Sequence, residues 1–452
     1  MNDQHSPSSS NSSSRREFLK FSGGAVAASA LAGVVVPRVH AAENPPIKLA
    51  LVGCGPRGTG AVADAFSTTG GPLQLYAMAD LFENRIQSAY NNLSRVHPDK
   101  VAVTPERRFL GFDAYKQAID CLGPGDVVLL TTFAAFRPMH FEYAVQKGVN
   151  VFMEKSFATD SPGVRRLLKA AEESEKKGLK VGAGFMWRHS QARQQVIQRI
   201  HDGAIGDVNS LRIYRVHGPV HTPPRPKDVS ELVFQIQHPF CFNWTTSGFF
   251  IDWHCHNVDV ACWAKNAWPV SAQGFGGRCY PQAGNLFDHY TVEYTFADGA
   301  KLFAFSRHMA GCWETYSDFA HGSKGSAVIM TNLSQPSPRI YKSQQMVDAE
   351  TVWKFEGADP NPYHREWQVL LDAVRENKPH NEARRAAEAD LAAIMGRMAT
   401  HTGAYITWEQ ALKSDFQYVA DIDHLTLDSP APLQAGPDGI YPCPQPGVTK
   451  EV

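Results

Sequence analysis

The strand-like run Ile47-Lys-Leu-Ala-Leu-Val52 passes straight into Gly53-Cys-Gly55-Pro56-Arg57-Gly58, and no other feature of this 452-residue chain limits its fold as much. Three glycines spaced G-x-G-x-x-G say little in isolation. Opening from a buried-type strand and leading into a helix, they specify a nucleotide-binding turn. Gly53 lets the chain reverse sharply, Gly55 lets the backbone approach a pyrophosphate, and Gly58 lets the following helix lie close on the sheet. The N–H groups at the start of that helix face an anion. A dinucleotide is therefore expected at Gly53, Gly55, Pro56, Arg57 and Gly58.

A second strand, Leu73–Ala79, ends at Asp80. An acid at that distance from the glycines accepts hydrogen bonds from ribose hydroxyls and repels a 2′-phosphate, which favours NAD over NADP. Arg85 lies nearby and offers a phosphate partner, so NADP is the weaker alternative. Asp80 would also serve as a plain helix cap ahead of Glu83.

From residue 47 to about 157, strands alternate with helices: a helix at 83–92, helical spacing from Phe112, a buried strand 126–132 ending at Thr132, a helix 138–147 stopped by Gly148, and a strand 149–153. A charged helix at 161–177 and a last strand at 179–186 follow. Near-continuous apolar strands alternating with helices predict a doubly wound parallel sheet. After Gly206 the pattern changes. Segments 207–216, 290–296 and 300–308 alternate like half-exposed strands, and Asp298-Gly299 marks a hairpin between the last two. The second domain is expected to be α+β with a mainly antiparallel sheet, closed by helices at 366–375 and 382–398. The boundaries expected are a leader at 1–42, a nucleotide-binding domain at 47–185, a substrate domain at 186–428 and a Pro/Gly-rich tail at 429–452, which wraps the surface or a neighbouring subunit.

The leader is polar and Ser/Asn-rich, then reads Ser14-Arg15-Arg16-Glu17-Phe18-Leu19-Lys20 before a mild apolar run ending at Val39-His40-Ala41. Twin arginines ahead of a short Gly/Ala-rich run resemble a Tat export signal, which implies Tat machinery as a partner and a periplasmic destination. The run is too short and weak for a membrane span. A net charge of -1 gives no general basis for nucleic-acid binding. Eight cysteines without a C-x-x-C argue against a disulfide scaffold or a structural zinc site.

Two stretches carry chemistry. Met153-Glu154-Lys155-Ser156 ends a strand on the carboxyl edge of the sheet, where doubly wound folds place their ligand crevice. A lysine there can hold a substrate hydroxyl; the alternative is a solvated Glu-Lys pair. The second stretch, Gly248 to Trp263, places Asp252, His256, Asp259 and Trp263 on one face if it is a single helix. Asp252 would then bond the ring of His256, raise its basicity and tune it to titrate near neutrality. His254-x-His256 with Asp252 offers a possible divalent-ion set, but alternate residues splay apart on a helix, so no metal is expected.

Taken together, these residues resemble the Gfo/Idh/MocA oxidoreductases: the strand-glycine-Asp80 unit, Glu154-Lys155, the Asp252…His256 pair, Met186-Trp187-Arg188-His189 and Asn361-Pro-Tyr-His-Arg-Glu366. The resemblance implies that Lys155 and His256 line a nicotinamide pocket and carry the chemistry beside Asp252. It implies hydride transfer between NAD and a secondary alcohol of a sugar, glycoside or cyclitol, with His256 as base and Lys155 stabilising the alkoxide. It also implies assembly of copies through an open sheet face. Trp187, Arg188, His189, His254, Asp288 and His289 are the candidate sugar contacts. Two positions depart from the family pattern. Ser156 replaces the usual proline, often cis-linked, so the turn there is expected to differ. His254 replaces a small residue, either to touch substrate or simply to pack.

Export selects for a cofactor that is held tightly and recycled, since free NAD is not expected outside the cytoplasm. Two further readings stay open: a redox-neutral NAD-dependent glycosidase, and a non-catalytic NAD-binding sensor.

Overall fold

The computed structural model describes residues 45–220, 223–280, 284–333 and 338–452, so the leader at 1–42 lies outside the described residues. Its first layer is a six-stranded sheet in the order β3-β2-β1-β4-β5-β6. The strands are β1 (Ile47–Val52), β2 (Leu73–Asp80), β3 (Arg108–Leu110), β4 (Val127–Leu130), β5 (Asn150–Met153) and β6 (Val181–Ala183). Every pairing is parallel. β4 and β5 are buried at every residue because helices cover both faces. The strand order reverses direction between β1 and β4, and the carboxyl ends there open a crevice bordered by Gly53 and Thr131.

One face of this sheet is completed from far along the chain. The helix Pro362–Arg375 lays Trp367, Leu370 and Leu371 into the same core as Leu49, Leu51 and Leu75. Trp367 stacks on Phe152 with ring centroids 4.3 Å apart. Asn361 caps this helix by accepting from the Tyr363 N–H, with Pro362 in its first turn. The helix thus starts four residues before its expected position.

The second layer is a nine-stranded sheet in the order β14-β13-β12-β11-β7-β10-β9-β8-β15. It contains β7 (Val208–His217), β8 (Ser271–Gly277), β9 (His289–Thr295), β10 (Lys301–His308), β11 (Thr315–Gly322), β12 (Ser326–Thr331), β13 (Arg339–Tyr341), β14 (Thr351–Lys354) and β15 (Ile406–Thr407). All of its pairings are antiparallel except β7 with β10. The α/β fold with a parallel nucleotide-type sheet and a mainly antiparallel second sheet is therefore as the sequence indicated. The expected hairpin at Asp298-Gly299 joins β9 to β10, with Gly299 at φ 85°.

The helix Ala383–Thr402 is buried almost all round and packs against β8, β9 and the helix Ser161–Lys176. In its C-terminal half is a fully buried cation, Arg397. Its partner comes from the 429–452 segment, which does more than wrap the surface. Glu451 reaches the core, bonds Arg397 at 2.9 Å and His401 Nδ1 at 2.8 Å, and is 2% exposed. Among the described residues no helix is long and apolar enough to cross a membrane, and all eight cysteines are free.

Burial opposes the charge of Glu451, but Arg397 and His401 together hold its carboxyl down to about 2. Glu451→Ala leaves Arg397 buried without a counter-charge and is expected to cost about 3–5 kcal/mol of stability. Because the folded value is depressed, the carboxylate's contribution is present above the unfolded value near 4 and fades as pH falls towards 2. Urea midpoints check both points: the gap between wild type and Glu451→Gln should be wide at pH 7 and narrower at pH 3.

Candidate active site

The glycine turn is built by steric exclusion. Gly53 has φ +97°, and a Cβ on it would sit 2.7 Å from the Thr132 nitrogen. A Cβ on Gly58 would sit 2.0 Å from the Gly53 carbonyl oxygen and 2.5 Å from Thr131 Oγ1. At Gly55 the only close atom is the tip of Arg85, at 3.3 Å, so a Cβ there would intrude on the crevice side. The helix Pro56–Phe66 starts at Gly55 with no side-chain cap. Its first N–H groups are therefore left for an anion.

Around this turn lies a cavity of about 530 Å³ lined by Gly53, Gly55, Pro56, Arg57, Gly58, Asp80, Arg85, Thr132 and Phe240, among others. Asp80 stands at the end of β2, with its two oxygens accepting from the Cys54 N–H at 2.6 Å and the Phe82 N–H at 2.9 Å. Those two bonds fix the carboxylate at the cavity wall and leave lone pairs for ribose hydroxyls. A glycine cradle, an uncapped helix start and an anchored acid fit a dinucleotide.

A second cavity of about 410 Å³ adjoins the first, and Arg57, Thr131, Thr132, Phe133 and Phe240 line both. Glu154, Lys155, Asp252, His256, Trp187, Arg215, Trp253, Tyr316 and Tyr363 also line it. The two chemistry-bearing stretches, a hundred residues apart in sequence, thus meet at one wall. Lys155 Nζ lies 3.2 Å from Asp252 Oδ1 and also donates to the Asp252 main-chain carbonyl. Burial works against the ammonium, but Asp252, with Cys255 and Glu154, outweighs it and pushes the Lys155 value up, so the side chain stays charged.

The acid-histidine arrangement differs from the expectation. Residues 248–263 do not form a single helix: Gly248–Asp252 ends, Trp253 and His254 turn, and Cys255–Lys265 begins anew. The Asp252 carbonyl, which a continuing helix would offer to residue 256, is taken by Lys155. Asp252 consequently pairs with the lysine and makes no hydrogen bond to His256, whose Nδ1 is buried without a partner. Burial first, then the charges of Lys155, Arg215 and Arg193, push the His256 value well below 6.5. The ring is neutral at pH 7, the reverse of the raised basicity expected from an aspartate partner.

Several predicted sugar contacts lie outside this cavity. Trp187 lines it, but Arg188 is turned away into a bidentate pair with buried Asp259 at 2.8 Å for both bonds. His189 lies near Glu382, at 3.7 Å. His254 is fully buried against Phe250, and burial, helped by Arg215, pushes it down to about 3, so it packs as an apolar ring. Asp288 accepts from the N–H groups of Cys279 and Tyr280 and pairs with His289 at 2.7 Å, at the end of the β8–β9 hairpin. Cys279, Asp288 and His289 form the one trio of close potential metal ligands among the described residues, so Asp252, His254 and His256 do not converge on a common point.

Ser156 keeps the turn that was expected to differ: the Lys155–Ser156 peptide is cis. Asp390 anchors the residues beyond it, accepting from the N–H groups of Phe157 and Ala158. Glu154 is held by Arg57 Nε at 2.5 Å, and Tyr363 lies over that guanidinium at 4.7 Å. Sequence reasoning missed Arg215, Tyr316, Trp253 and Tyr363. The strand alternation at 207–216 was a usable signal for Arg215, since it shares a face with buried Leu211 and Ile213.

Residues 193–328 match the family model for the GFO/IDH/MocA C-terminal domain. Over that segment the chain carries the GFO/IDH/MocA C-terminal domain, and its fold is that of solved oxidoreductases. An aldose-aldose oxidoreductase from Caulobacter crescentus, solved with glycerol, superposes with a TM-score of 0.60 at 14% identity, over 80% of this chain and 100% of that one. A myo-inositol 2-dehydrogenase from Lactobacillus plantarum gives 0.59 at 19% identity, over 80% and 99%. An oxidoreductase from Agrobacterium radiobacter, solved with NAD+, L-tartaric acid and magnesium, gives 0.60 at 14%, over 81% and 99%. Identities this low carry the fold alone. A dTDP-3,4-didehydro-2,6-dideoxy-alpha-D-glucose 3-reductase from Actinomadura kijaniata is 28% identical over 102 residues, which are 23% of this chain and 28% of that relative.

Because Gly58 faces the Gly53 carbonyl at a distance no Cβ tolerates, Gly58→Ala is expected to lower stability by about 1–3 kcal/mol. It should also weaken dinucleotide binding more than a matched substitution elsewhere in the helix, for example Ala63→Gly. Calorimetric titration with NAD+ alongside thermal unfolding checks both effects.

Proposed function

We propose that this protein is an NAD-dependent oxidoreductase that moves a hydride to or from a secondary alcohol of a sugar or cyclitol. One observation carries the reading. A charged lysine and a neutral imidazole line one cavity, and that cavity opens onto a glycine-cradled crevice fitted to a dinucleotide.

When bound, the nicotinamide supplies the hydride acceptor or donor, and the protein supplies position and proton handling. Gly53, Gly55 and Gly58 would seat the pyrophosphate, and Asp80 the adenosine ribose. The neutral ring of His256 is ready to take the hydroxyl proton. The Lys155 ammonium, held in place by Asp252, donates to the same oxygen and stabilises the negative charge that develops as the proton leaves. Trp187, Trp253 and Tyr316 provide aromatic surfaces for the apolar faces of a polyol ring.

Several finer points belong to the same proposal. The Asp80 carboxylate favours NAD over NADP. The twin-arginine leader directs the folded protein to the periplasm, and the cofactor stays bound through a cycle that both reduces and reoxidises it. Copies associate through the outer face of the second sheet, which exposes Phe275 at 78%.

Denaturing purified mature protein and identifying the released nucleotide tests retention. Turnover of a sugar and cyclitol panel, followed by nicotinamide absorbance and ketone detection, tests the reaction. Lys155→Met and His256→Asn should each lower kcat by about 10²–10⁴ while NAD binding persists. Unchanged kcat in both variants, or folded protein that binds no pyridine nucleotide, would overturn the proposal.

The pH profile supplies a separate check. His256 must be unprotonated to accept a proton and its value lies well below 6.5, so activity should fall on the acid side only at a pH clearly under 6.5. A kcat/KM profile showing an acid limb at or above 6.5 would contradict this assignment of the base.

A further inference from the structure

Three cations and two carboxylates line the second cavity: Arg57, Lys155, Arg215, Glu154 and Asp252. Two ion pairs account for four of them. Arg57 bonds Glu154 at 2.5 Å, and Lys155 lies 3.2 Å from Asp252. Arg215 is left over. Among the described residues it makes no ion pair and no hydrogen bond; it is held only by the aromatic faces of Tyr316, at 4.3 Å, and Trp253, at 5.3 Å. Tyr316 is also its cross-strand partner between β7 and β11, which fixes the pair on the inner face of the sheet. Buried Nε of Arg215 has no partner.

An arginine clamped by two rings in a cavity wall, with five donors and no acceptor, is a preorganised anion site. Partial burial makes the unmet donors costly unless a ligand fills them. The aromatic clamp fixes the planar fork that a carboxylate matches with two parallel bonds. Among the cations that line the cavity the unpaired charge is single, as is that of a carboxylate; Arg193, the other nearby cation without an ion pair among the described residues, lies outside the lining, stacked on Trp187 at 3.7 Å.

We propose that the substrate is a carboxylate-bearing sugar or cyclitol, a uronate or aldonate type, and that Arg215 is the residue selecting it. This rests on the oxidoreductase reading above and adds the substrate class. The acid would bind at Arg215 and present a ring hydroxyl to Lys155 and His256 in the same cavity.

The test uses NAD-loaded protein and matched substrates differing at one group: methyl glucuronoside against methyl glucoside, methyl galacturonoside against methyl galactoside, gluconate against glucitol, and methyl glucoside 6-phosphate as the other anion. A carboxylate is expected to raise kcat/KM by about tenfold to a hundredfold over its neutral counterpart. Arg215→Gln should erase that preference, chiefly through KM, lowering kcat/KM for the acid partner far more than for its neutral counterpart. Arg215→Lys, which keeps the charge and loses the fork, should retain part of the preference and serves if the glutamine variant does not fold. Equal rates for acid and neutral partners, an Arg215→Gln loss shared by both, or a preference for the phosphate would overturn the proposal. Should nothing in the panel turn over, the oxidoreductase reading fails separately, and calorimetric binding decides about Arg215. Uronoside binding weakened by Arg215→Gln supports the site; equal binding or none overturns it.

Discussion

The molecule depends on a contact in which no side chain takes part. Gly58 packs against the Gly53 carbonyl so closely that a single methyl group would separate helix from sheet. That approach sets where the helix begins, and so where its free N–H groups point, and it places Thr131 and Thr132, just past the end of the neighbouring strand, beside the turn. A doubly wound sheet has one place where adjacent strand ends lead to opposite faces, and here that place is the β1–β4 boundary. The crevice follows from topology, and the glycines make it deep enough to matter. The second cavity depends on the first because both share one wall.

Electrostatics in that wall follow from burial. Taking a charge out of water is costly, so the cavity's acids and bases come mostly as pairs. Arg57 with Glu154 ties the glycine turn to the end of β5. Lys155 with Asp252 ties the end of β5 to the second domain. Each pair thus joins distant segments while neutralising them, and the imidazole between the cations is left uncharged. A histidine that is buried, and placed among Lys155, Arg215 and Arg193, cannot keep a second proton at neutral pH, and for a proton acceptor that is the useful state.

Much of the first layer was legible in the sequence, because its signals are local. Strands buried on both faces read as apolar runs, Gly148 stops a helix in the left-handed region, and Asp80 stands at a strand end. The second layer was less legible. β8 and β11 carry glycine, β13 to β15 are short, and β11 and β15 also pair with β7 and β8, far away in sequence. The closing helix at 362–375 illustrates the same limit. Its periodicity shows an amphipathic helix, but nothing local says that Trp367 belongs to the first domain's core. Glu451 was invisible for a related reason: a single acid in a Pro/Gly-rich tail resembles a solvated one until a buried Arg397 is found opposite.

The site was legible as residue types and misread as geometry. Lys155, Asp252 and His256 were found, yet the helical face that linked Asp252 to His256 assumed that a run of compatible residues stays helical. Helix propensity is a weak preference, and one competing hydrogen bond at an end can outweigh it. Here the competitor comes from another domain: the Lys155 ammonium takes the carbonyl on which the next turn depends. The break that this imposes turns Asp252 towards the lysine and frees the His256 ring to face the cavity alone. A separate long-range contact removed one of the candidate sugar residues, since Arg188 is claimed by Asp259 on the helix that begins after the break. What looked like a local acid-histidine device is therefore a lysine-centred one, and the free charge at Arg215 stands out only once those pairings are known.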